Sequence, residues 1–309
     1  MTRSGTMVTM ERRLLERLEA GEAEQLATEF GLHRIGARPR LLDYVRSLWS
    51  RRQFIWTMSS STAYARNRDN YLGQLWNVLN PLLWAAVYFT VFGVLLGTQR
   101  DVENFLAFLI IGIFLFRFVG QSFSGGAKAI SGNVSLVRSL HFPRAVLPIS
   151  SALAEFIILL PAVAVMSLIV AISGPFYGVS STPTWSWLLL VPAIALLYLF
   201  CTGCSLIIAR LVADVRDVSN LLPFITRLLF YLSGVFYSVQ ERFGDTLGPL
   251  LPYAEHQPVA VYLSLARSAM MPEFELDGTM WLFGAGWALL FLVGGFIFFW
   301  RAEERYGRD

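Results

Sequence analysis

Tyr71-Leu72-Gly73-Gln74-Leu75-Trp76-Asn77-Val78-Leu79-Asn80-Pro81-Leu82-Leu83 is the stretch that decides the fold. An arginine-rich amphipathic segment precedes it, and an apolar run without charges begins at Pro81. Proline fits the first turn of a helix, where its missing N–H costs nothing, so a membrane helix is predicted to begin there. The chain is therefore expected to lie along a membrane surface and then to enter the membrane.

The composition is that of an all-α polytopic membrane protein. Of the 309 residues, 55% are hydrophobic and 15% are charged, and the mean hydropathy is +0.53; a soluble domain of this size could not bury so much apolar surface. A spanning helix needs about 20 apolar residues. Six segments meet this requirement, namely residues 78–97, 105–123, 145–172, 185–212, 218–237 and 280–300.

The basic residues are unevenly divided between the two sides of the membrane. Twelve arginines precede residue 78, and the second and fourth inter-span loops and the C-terminal tail add eight basic residues on the same side. The opposite side carries three, Arg100, Arg242 and Arg267. The positive-inside rule then predicts that both termini lie in the cytoplasm.

Three segments are predicted along the chain. Residues 1–37 form a polar cytoplasmic extension without the apolar core that a cleavable signal peptide needs. Residues 38–77 form an amphipathic interface helix and the junction, and residues 78–309 form a six-span transmembrane domain with a cytoplasmic tail. Cys201 and Cys204 lie inside the fourth span without a second ligand pair, so they are interpreted as packing residues rather than as a redox or zinc pair.

The interface helix is predicted over residues 40–56. At about 100° per residue, Leu42, Val45 and Trp49 fall on one face, and Arg46 and Arg51 lie mostly opposite. A helix with tryptophan on one face and arginine on the other lies in the headgroup plane of a membrane. A helix of a soluble domain is the alternative interpretation.

A second short helix is predicted over residues 133–140, on the cytoplasmic loop after the second span. Val134, Val137 and Leu140 recur at helical spacing, and Pro143 ends the turn. A plain connector is normally shorter and more polar, so this helix is interpreted as a contact for a partner protein.

The motifs of common enzymes are missing from the sequence. It contains no Gly-x-x-x-x-Gly-Lys-[Ser/Thr] phosphate loop, no His-Glu-x-x-His and no nucleophile elbow, and Lys128 is its one lysine. Neither ATP hydrolysis by that route nor other catalysis is expected from this chain. The pI near 9.0 follows from arginine on the cytoplasmic side and is not taken as a sign of nucleic-acid binding.

Three ionisable residues fall within the predicted spans, where charges are costly and usually face a partner or a cavity. Arg117 and Glu155 lie in consecutive spans at similar depth and are expected to form an ion pair. Arg227 has no acidic residue nearby in the sequence. Two interpretations of it stay open: its guanidinium binds a phosphate group through two hydrogen bonds, or it reaches out to the inner headgroups.

The junction and the following loop resemble the membrane subunits of bacterial ABC exporters for lipid-linked polysaccharides, the O-antigen, teichoic-acid and galactan permease group. The resemblance covers roughly residues 38–305. The segments that carry it are residues 71–76 with 79–82, residues 133–138 with 142–144, Pro148, and the outer loop 238–278.

The resemblance implies a half-transporter in the bacterial plasma membrane. Two copies of the chain would form a channel, each docked to a separate ATPase subunit that binds the ATP, so that no cofactor belongs to this chain. The outer loop would form re-entrant helices before the last span. The interface helix and the loop helix would receive the motor stroke through residues taken to be Arg46, Arg51, Val134, Val137, Arg138 and Leu140.

The expected cargo is a polyprenyl-pyrophosphate-linked polysaccharide. Aromatic side chains can stack on sugar rings, which makes Trp84, Tyr88 and Phe114, together with Arg117 and Arg227, the expected substrate-binding residues; lipid-facing belts are the alternative for the aromatic residues. The excess of arginine over lysine is interpreted as a high-GC coding bias, and a cell-wall galactan is expected from that bias alone. Two alternatives stay open, namely a permease of the same fold that exports a drug or a smaller lipid, and a membrane enzyme acting on polyprenyl phosphates.

Overall fold

The computed structural model describes residues 39–95, 97, 102–140, 142–179, 183–237, 251–304 and 306. The predicted extension 1–37 and residues 238–250 of the predicted outer loop lie outside these ranges. Over the described residues the chain forms helices and no strand, as expected of an all-α membrane protein.

Eleven α-helices occur in the described residues. They are α1 (Leu41–Ser50), α2 (Arg52–Ala65), α3 (Trp76–Tyr88), α4 (Phe105–Ala129), α5 (Val134–Ser139), α6 (Val146–Phe176), α7 (Leu190–Asp214), α8 (Val218–Leu232), α9 (Leu251–Glu255), α10 (Pro258–Met270) and α11 (Gly278–Trp300). Short 3₁₀ segments lead into α3, α5 and α7, and a π-helical stretch, Phe89–Leu95, continues α3.

Five helical stretches of the described chain are long and apolar enough to cross a membrane. They are Gly73–Leu95, Phe105–Ala129, Val146–Phe176, Trp185–Asp214 and Gly278–Trp300, and each overlaps one of the predicted spans. The fifth predicted span, 218–237, differs. Its helix α8 has 15 residues, which is about 22 Å of helix and less than the roughly 30 Å of a hydrocarbon core.

Helix α8 nevertheless runs alongside α4 in the opposite direction. A Cβ atom on Gly120 would lie 3.2 Å from Thr226, the rings of Phe116 and Phe230 are 5.0 Å apart, and a Cβ atom on Gly112 would lie 2.7 Å from the carbonyl oxygen of Val235. The residues after α8 therefore continue along α4 although the helix itself has ended.

The second span was expected to end at Phe123, with a loop from Ser124 onward. The helix instead continues to Ala129. A Cβ atom on Gly126 would lie 2.7 Å from the hydroxyl of Ser205, and one on Gly125 would overlap Ser151. These glycines therefore serve close packing against α6 and α7, and they do not end the helix.

Two predictions about the N-terminal half need correction. The single interface helix is broken at Arg51 into α1 and α2, with Tyr44 1% exposed and Trp49 70% exposed, so α1 turns Tyr44 into the protein and its tryptophan face outward. Pro81 is not in the first turn of a helix. It is the sixth residue of α3, because the 3₁₀ turn Gly73–Leu75 starts the helix earlier, and its ring leaves the carbonyl of Asn77 without the usual N–H donor.

Helix α4 lies at the centre of the bundle. In its most apolar window 78% of the residues are buried, compared with 17% for the stretch that contains α3. Helices α7 and α11 approach so closely that a side chain on Gly203 would overlap the backbone of Phe291. The two ends of the described chain also meet, since the hydroxyl of Tyr44 in α1 donates a hydrogen bond of 2.8 Å to Glu303 after α11.

Candidate functional site

A cavity of about 740 Å³ lies between α3, α4 and α8. Helix α3 contributes Trp84 and Tyr88, α4 contributes residues at helical spacing, and α8 closes the other side with Arg227 and Phe230. The residues of α4 that line it are Ile113, Phe116, Arg117, Gly120, Gln121, Ser124, Ala127 and Lys128.

The charges in this cavity have one sign. Arg117, Lys128, Arg216 and Arg227 line it, and none of the described lining residues is acidic. Within the described part of the chain, these four side chains form no ion pair. A wall of cations without a counter-charge attracts an anion, and the guanidinium groups can hold phosphate oxygens through two parallel hydrogen bonds.

Aromatic rings connect the three helices around the cavity. The rings of Trp84 and Tyr88 are stacked with centroids 5.8 Å apart, and Tyr88 lies 5.4 Å from Phe230. Phe230 in turn meets Phe116 edge to face. The cavity therefore offers flat apolar surface beside its cations.

The structure brings together four of the five predicted substrate residues, Trp84, Tyr88, Arg117 and Arg227. Phe114 is not among the residues of this cavity. It is 2% exposed and lines a second, small cavity of about 20 Å³ beside Glu155. Arg117 and Gln121 border both cavities, so Arg117 lies where the two meet.

The predicted Arg117–Glu155 ion pair is wrong. Glu155 is held by Arg66, which follows α2; both carboxylate oxygens accept hydrogen bonds, one of them from Nη1 at 2.7 Å. Helix α2 packs along α6, and this brings Arg66 to a carboxylate of which 5% is exposed. The bond to Glu155 raises the pKa of Arg66, and Arg117 is left facing the cavities.

Amide side chains close the turn between α2 and α3. Asn67 donates to Asn77, Asn77 donates to Gln74, and Gln74 donates to the backbone oxygen of Tyr64, each at 2.7 Å. Gly73 has a φ of +49° in this turn, a conformation that glycine adopts at little cost. The Gly73-Gln74 part of the junction motif thus has a structural role, which is to set the angle at which α3 leaves the interface helices.

Of the predicted coupling residues, Val137 does not face outward. It is 6% exposed and packs in an apolar cluster with Tyr44, Leu147, Leu206 and Phe299, so it cannot contact a partner. The other five predicted coupling residues, Arg46, Arg51, Val134, Arg138 and Leu140, are exposed.

Arg267 is a buried cation, although it was expected only as one of the three basic residues on the outer side. It lies in α10 and is 6% exposed. Its guanidinium donates to the carbonyl oxygens of Gly234 at 3.0 Å and Val235 at 2.9 Å, and it lies 3.3 Å from the ring centroid of Phe108. It therefore fastens the end of α8 to α4 and α10. An arginine inside an apolar helix that starts at a proline was the signal available in the sequence.

Glu303 is the second polar residue that sequence reasoning missed. Its carboxylate meets Tyr44 and the backbone of Arg144, residues far away in the sequence. Burial raises the pKa of Glu303. No local pattern connects these positions, because the contact arises where three separate segments meet.

The part of the chain that contains the cavity is similar to known proteins. Residues 53–244 match the ABC-2 type transporter family, and this range includes every described residue that lines the cavity. The chain is similar to the O-antigen export system permease protein RfbA of Myxococcus xanthus, with 30% identity over 201 residues, 64% of this chain and 73% of that protein.

Two further relatives have comparable similarity. The O-antigen export system permease protein RfbA of Klebsiella pneumoniae is 29% identical over 185 residues, 58% of this chain and 67% of that protein. The polysialic acid transport protein KpsM of Escherichia coli is 23% identical over 236 residues, 75% of this chain and 87% of that protein. Because the family match extends over more than half of the chain and takes in the whole cavity, the chain belongs to the ABC-2 type transporter family.

Proposed function

We propose that this chain is the transmembrane half of an exporter that moves a polyprenyl-pyrophosphate-linked polysaccharide from the cytoplasm across the plasma membrane. A separate ATPase subunit, present in two copies, binds and hydrolyses ATP, and a second copy of this chain completes the channel. The names of the relatives, which refer to O-antigen export and polysialic acid transport, support a polysaccharide as the cargo.

The observation that carries the proposal is the cationic, aromatic cavity. A pyrophosphate offers several anionic oxygens, and Arg117, Arg227, Lys128 and Arg216 supply cations without competing acids among the described lining residues. Trp84 and Tyr88 supply ring faces on the same cavity. The cations would hold the pyrophosphate, and the rings would contact the apolar faces of the first sugars.

The contact between Tyr44 and Glu303 supports an even number of membrane crossings. It brings the start and the end of the described chain to one end of the bundle. Five helices of the described chain are long enough to cross. We take the stretch from α8 to α10 as the sixth net crossing, with α10 re-entering from the outer side. The excess of basic residues at the shared end supports a cytoplasmic location for both termini.

A second copy would close the open side of the cavity. On α8, Leu221, Phe224 and Leu228 are 56%, 72% and 59% exposed, while the opposite face of the same helix packs on α4. An apolar face next to a cationic cavity is suited to a symmetry-related helix, because pairing the two copies would enclose the cavity and turn its cations toward a shared channel.

The test is the stimulation of ATP hydrolysis in the complex of this chain with its ATPase subunit, reconstituted in lipid. The probe is a purified polyprenyl-pyrophosphate-linked oligosaccharide, and the uncharged polyprenol serves as its comparison. Arg227→Ala is expected to raise the probe concentration needed for half-maximal stimulation about tenfold, equivalent to about 1.4 kcal/mol. Arg227→Lys should recover part of the response, because lysine keeps the charge but lacks the planar fork.

Arg68→Ala is the matched control, since Arg68 is an exposed arginine outside the cavity. It should behave as wild type. Unchanged stimulation in Arg227→Ala, or equal stimulation by the polyprenol, would contradict a pyrophosphate site at Arg227. Probes that carry galactan and O-antigen sugars on the same lipid separate the galactan, which we propose from the arginine-rich composition, from other glycans.

The exposed part of the loop helix α5 would contact the ATPase. Leu140→Asp is expected to weaken assembly with the ATPase subunit, measured by co-purification, because a charge would replace the 52% exposed leucine at the contact. Leu276→Asp makes the same change at an equally exposed leucine, 52%, just before α11 at the other end of the bundle, and should leave assembly unchanged. Equal assembly of both variants would remove α5 from the interface.

A further inference from the structure

Three segments that are distant in the sequence meet at the carboxylate of Glu303, which is 7% exposed. One oxygen accepts a hydrogen bond of 2.8 Å from the hydroxyl of Tyr44 in α1, and the other accepts one of 2.9 Å from the backbone N–H of Arg144, just before α6. The guanidinium of Arg144 donates in return to the backbone oxygen of Glu303. Glu303 thus ties α1 and the start of α6 to the end of α11.

The hydroxyl of Tyr44 completes the network. It accepts a hydrogen bond of 3.1 Å from the N–H of Ala145 while it donates to Glu303. Each polar atom therefore has a fixed donor or acceptor role. In Glu303→Gln, one acceptor oxygen becomes an NH₂ donor. This donor would face either the N–H of Arg144, which is itself a donor, or the hydroxyl of Tyr44, which already accepts a hydrogen bond from Ala145.

An apolar cluster surrounds this network and extends it to α5. Val137 of α5, Leu147 of α6 and Leu206 of α7 pack in it with Phe299 and Tyr306. The ring of Tyr306 stacks on Phe299 at 4.6 Å, and its hydroxyl donates to the backbone oxygen of Phe299. The segment that follows the last span is therefore packed into the same cluster as α1 and α5.

We propose that Tyr44, Arg144 and Glu303 are positioning residues for energy coupling, which lock α1, α5 and the ends of α6 and α11 into one block. This inference rests on the proposed contact of α1 and α5 with an ATPase subunit. A displacement of either short helix then moves two spanning helices together, because a buried, fully hydrogen-bonded carboxylate resists separation of its partners. The segment after the last span, predicted to be a plain tail, becomes part of the coupling apparatus.

The test compares ATP hydrolysis with transport in the reconstituted complex. Tyr44→Phe and Glu303→Gln are expected to keep assembly and basal ATP hydrolysis and to lower the glycolipid exported per ATP hydrolysed about tenfold. The double variant should lose no more than the worse single variant, since residues that act as a unit are not additive. The export probe is the polyprenyl-pyrophosphate-linked oligosaccharide.

Tyr64→Phe is the matched control, because Tyr64 is a 66% exposed tyrosine on α2. It should export normally. If Tyr44→Phe and Glu303→Gln export as wild type, the inference is overturned. A parallel fall of assembly, basal hydrolysis and export would also overturn it, since a merely structural role lowers all three alike.

A second measurement does not depend on the cargo. Spin labels on cysteines introduced at Ser47 of α1 and Ser139 of α5, both exposed, report the distance between the two short helices; the native Cys201 and Cys204 are 0% and 6% exposed and are shielded from the reagent. Wild type should keep one distance with and without trapped ATP, and Glu303→Gln should show a second distance on trapping. One unchanged distance in the variant contradicts the block, whatever the cargo proves to be.

Discussion

Two arginines in apolar helices differ in how much of their bonding capacity the chain itself uses. Arg267 in α10 is buried, donates to two carbonyl oxygens at the end of α8 and stacks on Phe108. Arg227 in α8 is exposed to the cavity and forms no ion pair within the described residues. A charge in an apolar helix is costly in both places. The guanidinium N–H groups that the chain itself leaves unused decide whether such an arginine stabilises the fold or is available to a ligand.

The largest expected effect separates these two arginines directly. Arg267→Met should lower the stability of the purified complex by roughly 3–5 kcal/mol, because the carbonyl oxygens at the end of α8 lose their donors. Arg227→Met, the same change in a neighbouring helix, should stay within about 0.5 kcal/mol of wild type. Thermal unfolding in detergent measures both, and equal shifts would remove the distinction between a structural and an available arginine.

A second pair sharpens the comparison at the junction. Arg66→Met should cost about 3 kcal/mol, since it leaves the buried carboxylate of Glu155 without its partner. Glu155→Gln should cost less, because the side chain of Arg66 is 32% exposed and can reach water. Combining the two should recover part of the loss seen in Arg66→Met.

Arg117→Met is the control for this pair, because Arg117 lines the same small cavity without holding Glu155. It should leave the unfolding temperature unchanged. A loss as large as that of Arg66→Met would mean that Arg117 also holds the carboxylate.

The smallest expected effect tests how closely Arg267 and Val235 pack against Gly112. A Cβ atom on Gly112 would lie 2.9 Å from Nη2 of Arg267 and 2.7 Å from the oxygen of Val235, whereas on Gly120 it would meet a methyl group at 3.2 Å. Gly112→Ala should therefore cost about 1–3 kcal/mol. Gly120→Ala should be close to neutral, because the gain in helix propensity of up to about 1 kcal/mol offsets the small displacement. Unfolding temperatures in the opposite order would show that α4 can shift away from α8 at this point.

Most of the fold was predictable because long apolar runs separate charged loops. The last span was expected at 280–300 and is Gly278–Trp300. The predicted fifth span was too long, because it continued past Ser233 and Gly234. The helix ends at Leu232, and Gly234 has a φ of +66°. The glycines at 125 and 126 were misread as a loop because their reason lies in Ser151 and Ser205, which local sequence does not reveal.

The part of the candidate site whose residues share one face of a single helix was predictable from the sequence. Trp84 and Tyr88 are four residues apart and share a face of α3, and Arg117 and Arg227 were conspicuous in apolar spans. Lys128 and Arg216, which also line the cavity, were counted among the loop residues and were not predicted to belong to the site. Arg117 lies on the border between two faces of α4, so its position alone could not decide between Glu155 and the cavity. The true partner of Glu155 is Arg66, which is 89 residues away along the chain, and only tertiary packing brings them together.

The burial of α4 has a consequence for how the sequence can drift during evolution. With 78% of its most apolar window buried, compared with 17% for the stretch Gly73–Leu95, nearly every substitution in α4 must preserve the volume and shape that its neighbours require. Away from Trp84 and Tyr88, which line the cavity, the outward surface of the first spanning stretch is free to exchange one apolar residue for another. Divergence within the family should therefore accumulate on the outward positions of α3 and its continuation, and α4 should change slowly and together with the helices that surround it.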